Sequence, residues 1–199
     1  WRPDVVEADL RQLSEAGLQV LRVFPLWPVF QPLTLLRTGA GRPAELRMGE
    51  ALLPDTVAGR AGISEEAADH FRVLCDLAER YDLKLIVGLV TGWMSGRMFM
   101  PPAFESLNLL TDPLVIKWQV RMVRYMVHRF RDHPAILAWD LGNECNCMAP
   151  LSHDAQAWAW TSAIVNAIRV EDASRPVVSG MHGMQPGRDA VWRIQDQGE

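Results

Sequence analysis

Four stretches of the chain repeat one alternation: an apolar stripe at helical spacing, then a short apolar run. Val6, Leu10 and Leu13 mark the first stripe and predict a helix over Asp4 to Ala16, stopped by Gly17. The run Leu18-Gln19-Val20-Leu21-Arg22-Val23-Phe24 then reads as a buried strand. Ser64 looks like an N-cap, with Glu65 and Glu66 in the first turn, where the helix dipole favours negative charge. Ala67, Phe71, Leu74, Ala78 and Tyr81 continue that helix, and Lys84 to Val90 is the next strand. Asp112-Pro113 opens a third helix, with Ile116, Val120, Val123, Val127 and Phe130 as its buried stripe. His133-Pro134 closes it, because the residue before proline is pushed out of the α region. Ala135 to Leu141 is the third strand. A fourth helix over Asp154 to Val170 turns Ala157, Thr161, Ile164 and Ile168 inward, and Arg175 to Gly180 is the fourth strand.

Strict alternation of helices and apolar strands predicts a parallel sheet covered by helices, in a doubly wound sheet or a (β/α)8 barrel. No G-x-G-x-x-G or G-x-x-x-x-G-K-[ST] follows any strand, so the nucleotide-binding version loses its main support. The segment Pro25 to Ile63, rich in Pro and Gly, reads as one long irregular loop, and loops of that length in compact domains are usually functional or disordered. The 199 residues are enough for one core, so a single domain over 1–199 is expected.

Composition narrows the picture by exclusion. A net charge of −4 gives no electrostatic case for nucleic acid or anionic lipid, and no apolar run approaches the roughly 20 residues of a membrane span. Trp1 is not an initiator residue, so the start of the chain leaves secreted and cytoplasmic locations both open. The three cysteines make no disulfide framework: Cys75 sits on an apolar helix face as a buried thiol, and no Cys/His set joins Cys145 and Cys147 in a tetrahedral zinc site. No metal and no cofactor are expected.

The chemistry concentrates in Trp139-Asp140-Leu141-Gly142-Asn143-Glu144. A strand this apolar that finishes in Gly-Asn-Glu opens onto something polar, and in parallel α/β folds active sites lie at the C-terminal strand ends. A carboxylate there suits a general acid; a solvated Glu capping the next loop is the plain alternative.

The run Ile136 to Glu144 resembles the fourth-strand motif of the clan of retaining (β/α)8 glycoside hydrolases that includes the cellulase and mannanase families. Gly17 to Phe24 followed by Trp27 resembles that clan's second strand, and Arg129-Phe130-Arg131-Asp132-His133-Pro134 resembles its approach to strand four. The resemblance implies a TIM barrel of which about half is present, roughly strands two to five. It implies Glu144 as the acid/base of a retaining β-glycosidase and Asn143 as a ligand of the sugar 2-hydroxyl. It also implies Arg22 as the partner of the nucleophilic carboxylate, against a structural ion pair inside the barrel. Trp27 and Trp93, just past strand ends, could stack on sugar rings or simply pack; His182 could bond a hydroxyl or have no catalytic role. Asp140 is expected deeper in the barrel and structural. The clan's nucleophile is a Glu ending strand seven, and nothing here matches that motif; Glu199, in the polar run Gln195 to Glu199, is a poor candidate. The expected partner is a β-glycan or an oligosaccharide derived from it, and four strands would leave two sheet edges open to self-association. The rival function is a non-catalytic carbohydrate-binding half barrel or pseudoenzyme.

Overall fold

The computed structural model describes residues 1–183 and 191–193. A four-stranded parallel sheet carries the four predicted strands, trimmed at their ends: β1 (Val20–Val23), β5 (Lys84–Gly88), β8 (Ile136–Asp140) and β9 (Val177–Val178), in that spatial order. The long helices α1 (Pro3–Glu15), α4 (Glu65–Arg80), α5 (Pro113–Phe130) and α6 (Asp154–Glu171) fall where the apolar stripes put them. Each strand is reached by a helical crossover, and strands adjacent in the sheet follow one another in the chain. That order is four successive units of a (β/α)8 barrel.

Local chemistry explains the helix starts. Ser64 Oγ accepts from the Ala67 N–H at 3.2 Å, and Asp112 Oδ1 accepts from the Leu114 N–H at 2.8 Å, with Pro113 in the first turn. On α5 the buried surface is wider than the predicted stripe: Val115, Trp118, Gln119, Met122 and Met126 are buried beside Val123, Val127 and Phe130, because α5 packs on both α3 (Val57–Ala61) and α6. Cys75 is fully buried, and burial pushes its thiol up to about 12.

The segment from Pro25 to Ile63 is not one irregular loop. It holds the short helix α2 (Trp27–Phe30), an antiparallel meander of β2 (Leu33–Arg37), β3 (Pro43–Met48) and β4 (Ala51–Leu52), and α3. Its register pairs Leu33 with Met48 and Leu35 with Leu46. Buried Gln31 ties the segment down, accepting from Trp27 Nε1 at 2.8 Å and donating to the carbonyls of Ala61 and Trp118 at 2.8 Å each. A second hairpin, β6 (Trp93–Met94) with β7 (Arg97–Met98), follows β5. Both insertions follow the C-terminal ends of parallel strands, where barrel loops carry function.

Asp172 locks β8 to the following strand. Its carboxylate accepts from Trp139 Nε1 at 2.9 Å, Ser174 Oγ at 2.7 Å and Arg175 Nη1 at 3.0 Å. Burial raises its pKa, but the hydrogen bonds outweigh burial and hold the carboxyl well below the usual carboxylate range. A depressed carboxylate adds stability that is fully present above the unfolded pKa and is lost as pH falls through the folded one. Asp172→Ala is therefore expected to destabilise the fold by about 3–5 kcal/mol near neutral pH, with the difference from native shrinking in acid below pH ~4. Denaturant unfolding at two pH values checks both parts.

Candidate active site

The site gathers where β8 ends. Asp140, the last strand residue, is fully buried and turned to the same face as Arg22, its neighbour-but-one across β5. Arg22 Nε donates to Asp140 Oδ2 at 2.5 Å and Nη2 to the Gly142 carbonyl at 3.2 Å, while the guanidinium lies 4.6 Å from the Phe24 ring centroid. The Gly142 N–H donates to Asp140 Oδ1 at 3.0 Å. Burial pushes the Asp140 carboxyl up, and the Arg22 and Gly142 hydrogen bonds pull against it. The expected structural role of Asp140 and the ion-pair reading of Arg22 thus meet in one contact.

Beyond the strand the chain turns sharply. Glycine is required twice. A Cβ on Gly142, at φ 151°, would strike the Val90 carbonyl and lie 2.7 Å from Cys145 Sγ. A Cβ on Gly180, at φ 61°, would run into the Gly142 carbonyl and Asp140 Oδ1. With no side chain there, the Gly180 carbonyl accepts from the Glu144 N–H at 2.8 Å and fixes the backbone of the candidate acid/base. Glu144 itself sits at φ 47°, ψ 44°, a left-handed conformation that costs a non-glycine residue roughly 1–3 kcal/mol and is found at functional sites. Its carboxylate is one-third exposed and its Oε1 lies 3.3 Å from His182 Nδ1.

Asn143 is nearly buried, at 8% exposure. Its Nδ2 donates to the Trp93 carbonyl at 3.0 Å and its Oδ1 lies 3.5 Å from Arg22 Nη1. The structure thus brings Arg22, Asn143, Glu144, His182 and the half-buried Trp93 together. Trp27 requires a correction: it is not an exposed stacking platform. It is 0% exposed, its indole N–H is taken by Gln31 and its ring packs on Phe104 with centroids 5.7 Å apart, so no sugar face can reach it. Glu199 lies outside the described residues. Gly180 and Asn146 had no signal in the sequence; Asn146 Nδ2 donates to the His182 carbonyl at 2.6 Å and Oδ1 accepts from the His182 N–H at 2.8 Å, across 36 residues. Cys145 is buried, its thiol donating to the Val90 carbonyl at 3.4 Å, and burial holds its pKa well above the ordinary thiol range.

A half barrel with a one-third-exposed carboxylate on a strained turn after its third parallel strand defines the class: the (β/α)8 glycoside hydrolases. Residues 87–191 match the model of the glycosyl hydrolases family 2, TIM barrel domain, and the chain belongs to that family. Among curated relatives, mannan endo-1,4-beta-mannosidase F of Aspergillus fumigatus is 30% identical over 185 residues, covering 90% of this chain and 39% of that protein. Among solved structures, GH5_18 from Streptomyces cattleya in complex with GlcNAc aligns with TM-score 0.71 and 27% identity, covering 89% of this chain and 39% of that one. The exo-beta-1,4-mannosidase Op5Man5 from Opitutaceae bacterium strain TAV5 aligns with TM-score 0.74 and 25% identity over 96% of this chain and 30% of that one. The chain therefore spans about two fifths or less of the length of these proteins.

Proposed function

We propose that these residues form the acid/base half of a retaining glycosidase that cleaves β-1,4-linked mannosides. The observation that carries this reading is Glu144: a residue on a left-handed turn beyond the C-terminal end of a central parallel strand, its N–H donating to the Gly180 carbonyl and its carboxylate one-third exposed. Glu144 would protonate the departing glycosidic oxygen and then deprotonate water in the second displacement. The free N–H of the Asn143 amide would bond the sugar 2-hydroxyl, Trp93 would offer a ring to the sugar, and Arg22 Nη1 would face the nucleophile. The mannoside preference is drawn from the relatives, two of which are named as β-1,4-mannosidases.

The nucleophile would come from polypeptide other than these residues. Asp140 cannot serve, because its carboxylate is buried and bonded to Arg22 and Gly142. The sheet supports the same view: Val20 and Val178 share the face of Arg22 and Asp140 and stay 42% and 41% exposed, an apolar lumen that further strands would cover.

The test is a panel of aryl β-mannosides, β-glucosides and β-galactosides, read by NMR for the first-formed anomer. The polypeptide in its natural gene context is expected to hydrolyse β-mannosides fastest and with retention, while residues 1–199 expressed by themselves give no turnover and tend to associate through the free edges of β1 and β9. Inversion, or indifference to the mannosides, would sink the proposal; binding without turnover in the natural context would favour the carbohydrate-binding alternative.

A further inference from the structure

The geometry points to Asn146 as a positioning residue that holds His182 against Glu144, so that one carboxyl oxygen is reserved for proton transfer; this rests on the acid/base role proposed above. Position 182 needs a tie. It lies between Gly180 at φ 61° and Gly183 at φ 59°, and its side chain is 67% exposed. Among the described residues, the hydrogen bonds to its backbone all come from Asn146: one received by its carbonyl at 2.6 Å and one given by its N–H at 2.8 Å. Two opposed bonds from a planar amide fix both the place and the orientation of residue 182, and the imidazole Nδ1 then comes to 3.3 Å from Glu144 Oε1.

Asn146 belongs to the 3-10 turn Cys145–Cys147 that Glu144 opens, and that turn is itself closed by the Cys147 N–H on the Glu144 carbonyl at 2.8 Å. The segment that carries the acid therefore also sets the histidine that faces it. The chemical consequence concerns the two carboxyl oxygens. A proton on His182 Nδ1 would face Oε1 at the 3.3 Å separation, stabilise negative charge there and leave the transferable proton to Oε2, the oxygen that would face the leaving group and later the water. The amide provides the donor and the acceptor on two atoms of one planar group, whereas an aspartate at 146 would set an anionic oxygen against the His182 carbonyl.

Long-range 1H–15N spectra of the full polypeptide with 15N-labelled histidine, taken at a pH where the spectra themselves show neutral rings, test this directly. The chain has 5 histidines, and the His182 signals are assigned by their loss in His182→Gln. The expected native pattern is a proton on Nδ1, reverting toward the Nε2-protonated form of free histidine in both Asn146→Asp and Glu144→Ala. A native Nε2 pattern, or one unchanged in Asn146→Asp, overturns the proposal. On β-mannosides with poor leaving groups, Asn146→Asp is expected to lower kcat roughly tenfold with KM little changed, and to do nothing further in a His182→Gln background. Equal losses in both backgrounds would mean a structural residue and overturn it as well. Because the tautomer is read without turnover, failure of the glycosidase reading and failure of this one are separate results.

Discussion

Glu144→Gln in the complete enzyme is expected to lower kcat/KM on β-mannosides with poor leaving groups by roughly 10³-fold, in the usual range for general acid catalysis. The amide nearly keeps the shape of the carboxyl but has no proton to give the departing oxygen. Aryl glycosides with activated leaving groups hardly need that proton, so their glycosylation step should fall far less. Their second step should stall, because the amide cannot deprotonate water. Azide, which attacks without base help, should restore turnover and release a β-mannosyl azide. The backbone strain at Glu144 belongs to the turn and not to the carboxyl, so the variant should unfold at nearly the native denaturant midpoint. A small, equal loss on both substrate types, with no azide effect, would remove Glu144 from the mechanism.

The parts of this molecule that could be read from sequence are those that repeat locally. Strands such as Lys84–Gly88 are short apolar runs between turn signals, and α4 carries its N-cap and apolar stripe within a few residues of each other. The run ending in Glu144 stood out by another route: it is nine consecutive residues long, and its resemblance to a known strand-end motif needs no partner from elsewhere in the chain. The meander from Leu33 to Leu52 was not legible, because its strands mix charged and apolar positions, and the buried Gln31 just before it is bonded to carbonyls 30 and 87 residues away. Trp27 was misplaced for a related reason. An indole just past a strand end looks available, and only the arrival of Gln31 and Phe104 in space shows that it is filled. Arg22 stood between two readings because its partner Asp140 lies 118 residues on, and only the fold brings the two side chains together. Asn146 shows the limit most clearly: a polar residue in a loop has meaning only through the partner that folding brings to it.

Gly180→Ala is expected to be the most damaging small substitution in the site. The new methyl would meet the Gly142 carbonyl and Asp140 Oδ1, with Arg22 Nη2 at 2.7 Å. None of these can yield cheaply: one is backbone at a left-handed turn, and the others are the two halves of an ion pair at the strand end. Alanine at φ 61° adds a conformational cost of roughly 1–2 kcal/mol, and the overpacking adds about 1–3 kcal/mol. A domain with a typical stability of about 5–15 kcal/mol could remain folded, but its end of β9 would be pushed off β8. Glu144 would then lose the carbonyl that holds its N–H, and catalysis should fall with stability. Gly183 supplies the control. It has nearly the same φ, 59°, and nothing within 4 Å of the position of a Cβ, so Gly183→Ala carries the conformational cost alone. Denaturant midpoints of the two variants should differ by the packing part, and only Gly180→Ala should abolish turnover. If the two alanine variants proved equally stable and equally active, the close approach of β9 to the Arg22–Asp140 pair would be wrong, and with it the account of how the backbone of Glu144 is held.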